Sequence, residues 1–384
     1  MRYDVIVVGG GPAGAAAAHG LATGGARVLL LERRRLPRYK ACGGCLSRRV
    51  SGLLPFDPVP LIEEQITSLR FTYRGRDPIE ATFTEPMAYM VWRDRFDQAL
   101  CLSAVEAGAE LRDGLTVRGV INVGGHVEVE LGGRTEAADF LVGADGACGV
   151  VARDLFPGRA RARAVGLDGE LPLGGVTQGT LRGRVVIELG RASGGYCWAF
   201  PKNGVASVGV MVDRGAAKTL SRSLQAFLGA GGFGDGKPEQ THGALIPLDH
   251  PRSEPLDRGR TLLVGDAAAL VDPFLGEGIY YAIKSGQLAA QAILTVAGNG
   301  GDLGAYQAAV SAEIKPELEA AGRLSRLAHR LPWLWFKALK RRPGAIDLFR
   351  KVLMGDESYG SYADRVWAEI PRPLARLLCT RRTG

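Results

Sequence analysis

Nothing in these 384 residues is apolar for long enough to cross a bilayer, because no run reaches the roughly 18 residues a spanning helix needs. Histidine is scarce and scattered (His19, His126, His242, His250 and His329), and only one C-x-x-C pair occurs. The ligand spacing of a zinc site is therefore missing, and no metal is expected. Six cysteines, with no segment that reads as a secretory signal, do not form a disulfide framework and point to a cytosolic setting. No nucleic-acid recognition motif accompanies the positive charge, so nucleic acid is not an expected partner. That charge is unevenly placed. Residues 320–384 hold 14 Lys/Arg against 5 Asp/Glu, a net of +9; the total of +8 leaves the other residues at −1.

Glycine, by contrast, is abundant at 54 residues, as expected where several tight turns approach a nucleotide. The stretch from Asp4 to Glu32 organises the rest. A β-branched run, Val5 to Val8, suits a fully buried parallel strand. Gly9, Gly11 and Gly14 follow as G-x-G-x-x-G: a tight turn, close backbone approach to a diphosphate, and close helix–strand packing. The free N–H groups and positive dipole end of the next helix are where the diphosphate would sit. A second apolar strand, Val28 to Leu31, ends in Glu32, placed to accept from a ribose hydroxyl. Arg33, Arg34 and Arg35 come next and read either as contacts to a 2′-phosphate or as a solvated basic loop.

Cys42-Gly43-Gly44-Cys45 is the most unusual chemistry in the chain. The pair is open to three readings: half a metal site, a redox disulfide, or two unrelated thiols in a turn. Its two glycines require the backbone to pass close to something. Short antiparallel strands are expected at Thr67–Tyr73 and Ala81–Thr84, strands at Leu115–Arg118, Val127–Leu131 and Phe140–Gly143, and an amphipathic helix at Val91–Leu100. By spacing alone, Arg93 on that helix lies on a solvated face, with a phosphate contact as the alternative. Gly143 and Gly146 beside Asp145 make a second loop suited to a phosphate or ribose.

Tyr196, Trp198 and Phe200 recur at period two, hence on one face of a strand whose hairpin partner is Val205–Val212. Such a face is either core packing or the wall of an apolar substrate pocket. Arg260–Val264 restates the strand theme, then Gly265-Asp266 places an acid to hold a cofactor polyol. Gly276-Glu277-Gly278 leads into a helix from Ile279 to about Ala297, whose positive end suits the anionic edge of a reduced flavin. Near the C-terminus, Trp333, Trp335 and Phe336 beside Lys337, Lys340, Arg341 and Arg342 fit either an anionic membrane surface or a helix packed on the body.

Together these blocks resemble the glutathione-reductase-like flavoproteins of the p-hydroxybenzoate-hydroxylase fold. The motifs are Gly9-x-Gly11-x-x-Gly14…Glu32, Gly143-Ala-Asp145-Gly146, and Gly265-Asp266 with Pro273 and Gly276-x-Gly278. Within that group the chain looks most like the geranylgeranyl reductase family, through Pro37–Gly44, Tyr196-x-Trp198-x-Phe200-Pro201-Lys202 and Asp272–Ala282. The resemblance implies an α/β fold with a Rossmann-like FAD-binding domain (1–57, 91–163 and 257–319), an inserted antiparallel-sheet substrate domain (58–90 and 164–256) and a helical C-terminal region (320–384). It implies FAD contacts from Ala13, Glu32, Cys42, Gly43, Arg93, Val117, Asp266, Gly278 and Ile279, which raises the phosphate reading of Arg93. The middle block departs from its relatives' Asp-Gly-x-x-Ser-x-x-Arg, with Gly149 and Ala152 at the last two positions and Arg153 one place late. That block is associated with NAD(P)H, so the electron donor is NAD(P)H or another reductant.

The expected activity is an FAD-dependent reduction of carbon–carbon double bonds in a prenyl chain. Cys42 relays the proton or controls access to the flavin, Trp198 and Phe200 wall the channel with Tyr196, and the basic tail contacts the membrane that holds the substrate. The alternative on the same scaffold is a flavin monooxygenase or halogenase acting on an aromatic or polyketide molecule.

Overall fold

The Tyr3–Val8 strand is buried along nearly its whole length because parallel partners flank it on both sides, Val28–Leu31 and Thr135–Gly143. The computed structural model describes residues 2–158, 164–233, 237–248, 254–342 and 344–368. The first sheet runs in the order Asp257–Arg258, Thr261–Leu263, Thr135–Gly143, Tyr3–Val8, Val28–Leu31 and Glu110–Arg112, with Gly119–Val123 and His126–Glu130 paired off Thr135–Gly143. Leading out of its central strand, the Pro12–Thr23 helix packs along the Ile279–Asn299 helix, so both helices begin on the same side of the sheet.

A second sheet has seven strands in the order Thr241–Ile246, Ala164–Pro172, Val205–Asp213, Tyr196–Lys202, Arg184–Leu189, Ser68–Tyr73 and Arg76–Thr82. Period-two alternation divides its side chains between two cores. Cys197, Ala199, Val208, Val210 and Val212 pack with Leu224 and Phe227 of the Leu220–Ala230 helix. Tyr196, Trp198 and Met211 face the other way and join Trp335, Phe336, Phe349 and Tyr362 of the C-terminal helices. A small third sheet joins Cys45–Ser47, Ala88–Val91 and Ile62–Ile66. The whole is the mixed α/β architecture expected, with a helical C-terminal region formed by Lys315–Arg330, Pro332–Arg341, Gly344–Met354 and Tyr359–Ala368. Residues 369–384, part of the expected basic tail, and His250 lie outside the described residues.

Two expectations need correction. No strand forms at Leu115–Arg118, which connects Glu110–Arg112 to Gly119–Val123. Gly114 turns the chain at φ +72°, Leu115 N–H is taken by Glu32 O (3.0 Å) just past the Val28–Leu31 strand, and the backbone joins the next ladder only at Arg118, whose N–H goes to Glu130 O (2.8 Å). The solvated placement of Arg93 also fails: the Arg93–Glu106 helix buries its first residue to 8% exposure against Asp97. Of the tail aromatics, Trp335 and Phe336 are core residues whereas Trp333 remains 51% exposed. Packing and surface readings of that segment therefore apply to different faces of one helix.

Candidate functional site

At the end of Tyr3–Val8 the chain turns through Gly9, whose φ of +111° excludes most side chains. A Cβ on Gly14 would lie 1.9 Å from Gly9 O, so the helix sits directly on the turn. In front of Gly11 the nearest atom to such a Cβ is an Arg38 nitrogen 4.0 Å away, and no side chain caps the helix. Its N–H groups are thus left for an anionic ligand. Glu32, 5% exposed, is held by Gly10 N–H (2.9 Å) and Arg34 N–H (3.0 Å). Arg38 Nε stands 3.4 Å from Glu32, while its other nitrogens reach Asp97 (2.9 Å) and Gly10 O (3.2 Å). Arg33 is exposed.

Ala13 backs onto Gly265, where an added Cβ would come within 2.9 Å of the Ala13 methyl. Asp266 stands across from Gly278, whose Cβ would sit 3.5 Å from Oδ1, and Ile279 opens a second helix with no side-chain cap. An open glycine cradle, a fixed carboxylate at the next strand's end and uncapped helix N-termini are the donor and acceptor set that FAD requires. Val117 lies half-buried on the connecting segment, and Asp145 turns to the start of the Val150–Leu155 helix, where Oδ2 accepts Val151 N–H at 3.0 Å. Burial pushes the Asp145 carboxyl up to about 6.

The Cys42–Gly44 loop lies on the aromatic strand. A Cβ on Gly43 would meet the Phe200 ring at 2.6 Å and Trp198 Nε1 at 3.3 Å. Cys42 Sγ accepts from Gly44 N–H (3.4 Å), and the Cys42 N–H donates to Asp168 Oδ2 (2.8 Å). Arg93 holds Asp97 through both carboxylate oxygens (2.8 and 2.9 Å), with the Cys42 side chain among the groups that act on its charge. Asp97 therefore joins Arg38 at the dinucleotide end to Arg93 at the cysteine. Lys202, from the same motif strand, is buried with Nζ 4.0 Å from the centre of the Trp92 ring. Tyr196 donates its hydroxyl to Leu275 O, which ties the aromatic strand to the loop before Gly276. Cys42 and Cys45 are both free thiols, and burial raises Cys45 to about 12. Among the described residues no three potential ligands group as a metal site.

Sequence reasoning missed the residues that brace this loop. Arg49 pairs with Glu277 (2.5 Å), lies 3.9 Å over the Tyr280 ring and donates to Tyr281 Oη (3.2 Å). Glu277 also accepts from Ser47. Asp272, fully buried, accepts Phe274 N–H (2.7 Å), Leu275 N–H (3.2 Å) and the Tyr359 hydroxyl (2.8 Å), and burial lifts its carboxyl to about 7. Glu277 was visible between two glycines; Arg49 and Tyr359 carry no local signal.

Fold and cradle together define an FAD-dependent oxidoreductase, and a family model described as an FAD binding domain matches residues 2–165. The geranylgeranyl diphosphate reductase of Rhodobacter capsulatus is 34% identical over 316 residues, 77% of this chain and 75% of the relative. The chain belongs to the geranylgeranyl reductase family. A geranylgeranyl bacteriochlorophyll reductase-like protein of Thermoplasma acidophilum superposes with a TM-score of 0.78 at 23% identity, covering 98% of both chains. A flavin-dependent brominase superposes at 0.71 and 18% identity over 95% of this chain and 98% of its own. At those identities the two structures establish the fold alone, and the oxygen-using alternative shares it.

Proposed function

We propose that this enzyme saturates carbon–carbon double bonds of a geranylgeranyl-type prenyl chain. The observation that carries the reading is the Cys42–Gly44 loop, whose Gly43 lies against Trp198 and Phe200, so that a thiol-bearing loop borders an aromatic wall. An isolated alkene has no carbonyl to polarise, so hydride and proton must both be delivered where water is excluded. When bound, reduced FAD supplies the hydride, and NAD(P)H or another reductant recharges it.

In this reading Gly9, Gly11, Ala13, Gly14 and Glu32 seat the dinucleotide, with Arg33, Val117 and Asp145 at its margin. Gly43, Gly265, Asp266, Gly276, Gly278 and Ile279 line the flavin side. Trp198 and Phe200 bind the chain and keep water out, Tyr196 fixes the loop, and Cys42, oriented by Arg93, moves the proton or controls access. Residues 58–90 and 164–256 act as the substrate-bearing unit.

The test is product mass after anaerobic incubation of dithionite-reduced enzyme with geranylgeranyl diphosphate. Gains in steps of two hydrogens are expected; a gain of 16 in air instead would support the oxygen-using alternative. The Cys42→Ala enzyme should bind flavin normally and lose at least tenfold in rate, in line with general acid–base contributions of roughly 10²–10⁴. Full activity in that variant would remove Cys42 from the mechanism.

The same reading places the enzyme in the cytoplasm, against an anionic membrane surface. No helix among the described residues is long and apolar enough to cross a membrane. The exposed corner around Leu331 and Trp333, with Lys337 Nζ 4.1 Å from the Trp333 ring centre and Arg330 and Arg341 also exposed, supports surface contact. Trp333→Ala/Lys337→Ala should weaken co-sedimentation with phosphatidylserine vesicles about tenfold, at roughly 1 kcal/mol per basic residue plus the lost ring. Equal sedimentation of both proteins would refute this corner as the contact.

A further inference from the structure

Strand register gathers a polar group on the sheet face that carries the aromatic motif. Asp168 stands between His242 on one neighbouring strand and Gly209 on the other, and Gly209 in turn pairs with Trp198. Because Gly209 has no side chain, the Trp198 indole spreads over it; a Cβ there would meet the ring at 2.2 Å. Two residues on, Glu170 pairs with Ser207, and Ser207 with Phe200. Asp168 is 3% exposed, and it accepts the Cys42 N–H. Trp198 Nε1 and Ser207 Oγ are buried without a partner among the described residues. Buried polar atoms are ordinarily satisfied, so two orphans on one face beside a carboxylate mark a place for water or a ligand.

The group also reaches the surface. Tyr39, 37% exposed, donates to Glu170 Oε1 at 3.1 Å, and its ring centre lies 4.3 Å from that of His242. The charged and titratable groups facing Asp168 are Cys42 and Tyr39 on the loop, Glu170 on its own strand, His242 on the next and the Lys202 ammonium.

We propose that Asp168 is both the positioning residue of the Cys42 loop and the station through which the reaction's proton passes from the solvent-facing Tyr39–Glu170–His242 group to the cysteine side of the cleft. It rests on the reductive reading above. Each double bond takes up one hydride from the reduced flavin, which is thereby oxidised by two electrons, and one proton from solvent. Two C–H bonds form, the alkene π bond breaks, and Asp168 is reprotonated through Glu170 or His242 and ends unchanged. Burial lifts the Asp168 carboxyl to about 6, so it holds its proton below that pH and its protonated fraction falls tenfold per unit above it. Wild-type prenyl reduction should therefore decline as pH rises past 6.

Asp168→Asn, Asp168→Glu and Glu170→Gln test this through two independent readouts. The first is the pH profile of prenyl reduction from pH 5 to 9. Asp168→Asn should be at least tenfold slower at pH 6 with a flattened profile and unchanged flavin content, and Asp168→Glu should restore the slope. Glu170→Gln should slow the reaction several-fold without moving the midpoint. The second readout needs no substrate: iodoacetamide labelling of Cys42 in the oxidised holoenzyme, followed by peptide mass. Labelling should quicken at least threefold in Asp168→Asn and return to the wild-type rate in Asp168→Glu. Unchanged labelling overturns the positioning role, and an unchanged pH profile overturns the relay. A wild type that reduces no prenyl chain would overturn the reductive reading and the relay with it, leaving the labelling to decide the positioning role alone.

Discussion

Replacing Gly14 with alanine will yield a protein that purifies almost without flavin. The added Cβ would lie 1.9 Å from Gly9 O and 3.0 Å from the Ala144 methyl. The first contact is with backbone, so no flexible side chain can swing away. Relief requires the Pro12–Thr23 helix to lift from the turn, and its N–H groups, uncapped by any side chain, then no longer point at a diphosphate. Flavin content, read from the ratio of absorbance near 450 nm to that at 280 nm, should fall below about a tenth of the wild type, corresponding to more than ~1.4 kcal/mol of binding when the cofactor is near its dissociation constant. Gly298→Ala is the control, since a Cβ there meets nothing within 4 Å, and it should retain full flavin. A yellow Gly14→Ala enzyme would show that the cofactor is not seated at this turn.

Arg49→Ala carries the second large effect, on stability. The Arg49 and Glu277 side chains are 8% and 10% exposed and meet at 2.5 Å. Deleting the cation leaves the Glu277 carboxylate inside the protein with the Ser47 hydroxyl but no cation beside it, and the three tyrosine rings around the guanidinium lose their filling. Breaking a buried pair from one side costs about 3–5 kcal/mol. The melting temperature should drop by more than about 5 °C. Removing both charges, as Arg49→Met/Glu277→Leu, should recover most of the loss, because no lone charge then remains buried. A single variant as stable as the wild type would mean that Glu277 is reached by water when Arg49 is absent.

The FAD cradle was legible in sequence because its pieces are local: Gly9, Gly11, Gly14 and Glu32 fall within 24 consecutive positions. The aromatic strand was legible for the same reason, since period two places Tyr196, Trp198 and Phe200 on one face whatever lies beside them. Which face matters is a property of the neighbours. Asp168 passed unnoticed because its significance comes from register with Gly209 and His242, on strands that begin 37 and 73 residues later, at Val205 and Thr241. Spacing alone misplaced Arg93 because a basic residue opening a helix is usually solvated, and only the pairing with Asp97 makes its burial tolerable. At Leu115–Arg118 the β-branched pattern competed with the Gly114 turn and lost.

The hydrogen bond from Tyr359 to Asp272 bears on how the enzyme is made. It joins a helix to the flavin-side loop across 87 positions of chain. At about 5–20 residues per second, the loop is synthesised roughly 4–17 s before the tyrosine that ties it down. The glycine turn and its helix precede that loop in the sequence and are synthesised earlier still. On the proposed reading, a nascent chain would therefore have its diphosphate seat before it has a finished seat for the flavin ring. On the same reading, cofactor captured during synthesis would be held first by its adenine half, and the redox-active half secured only once Tyr359 has been made.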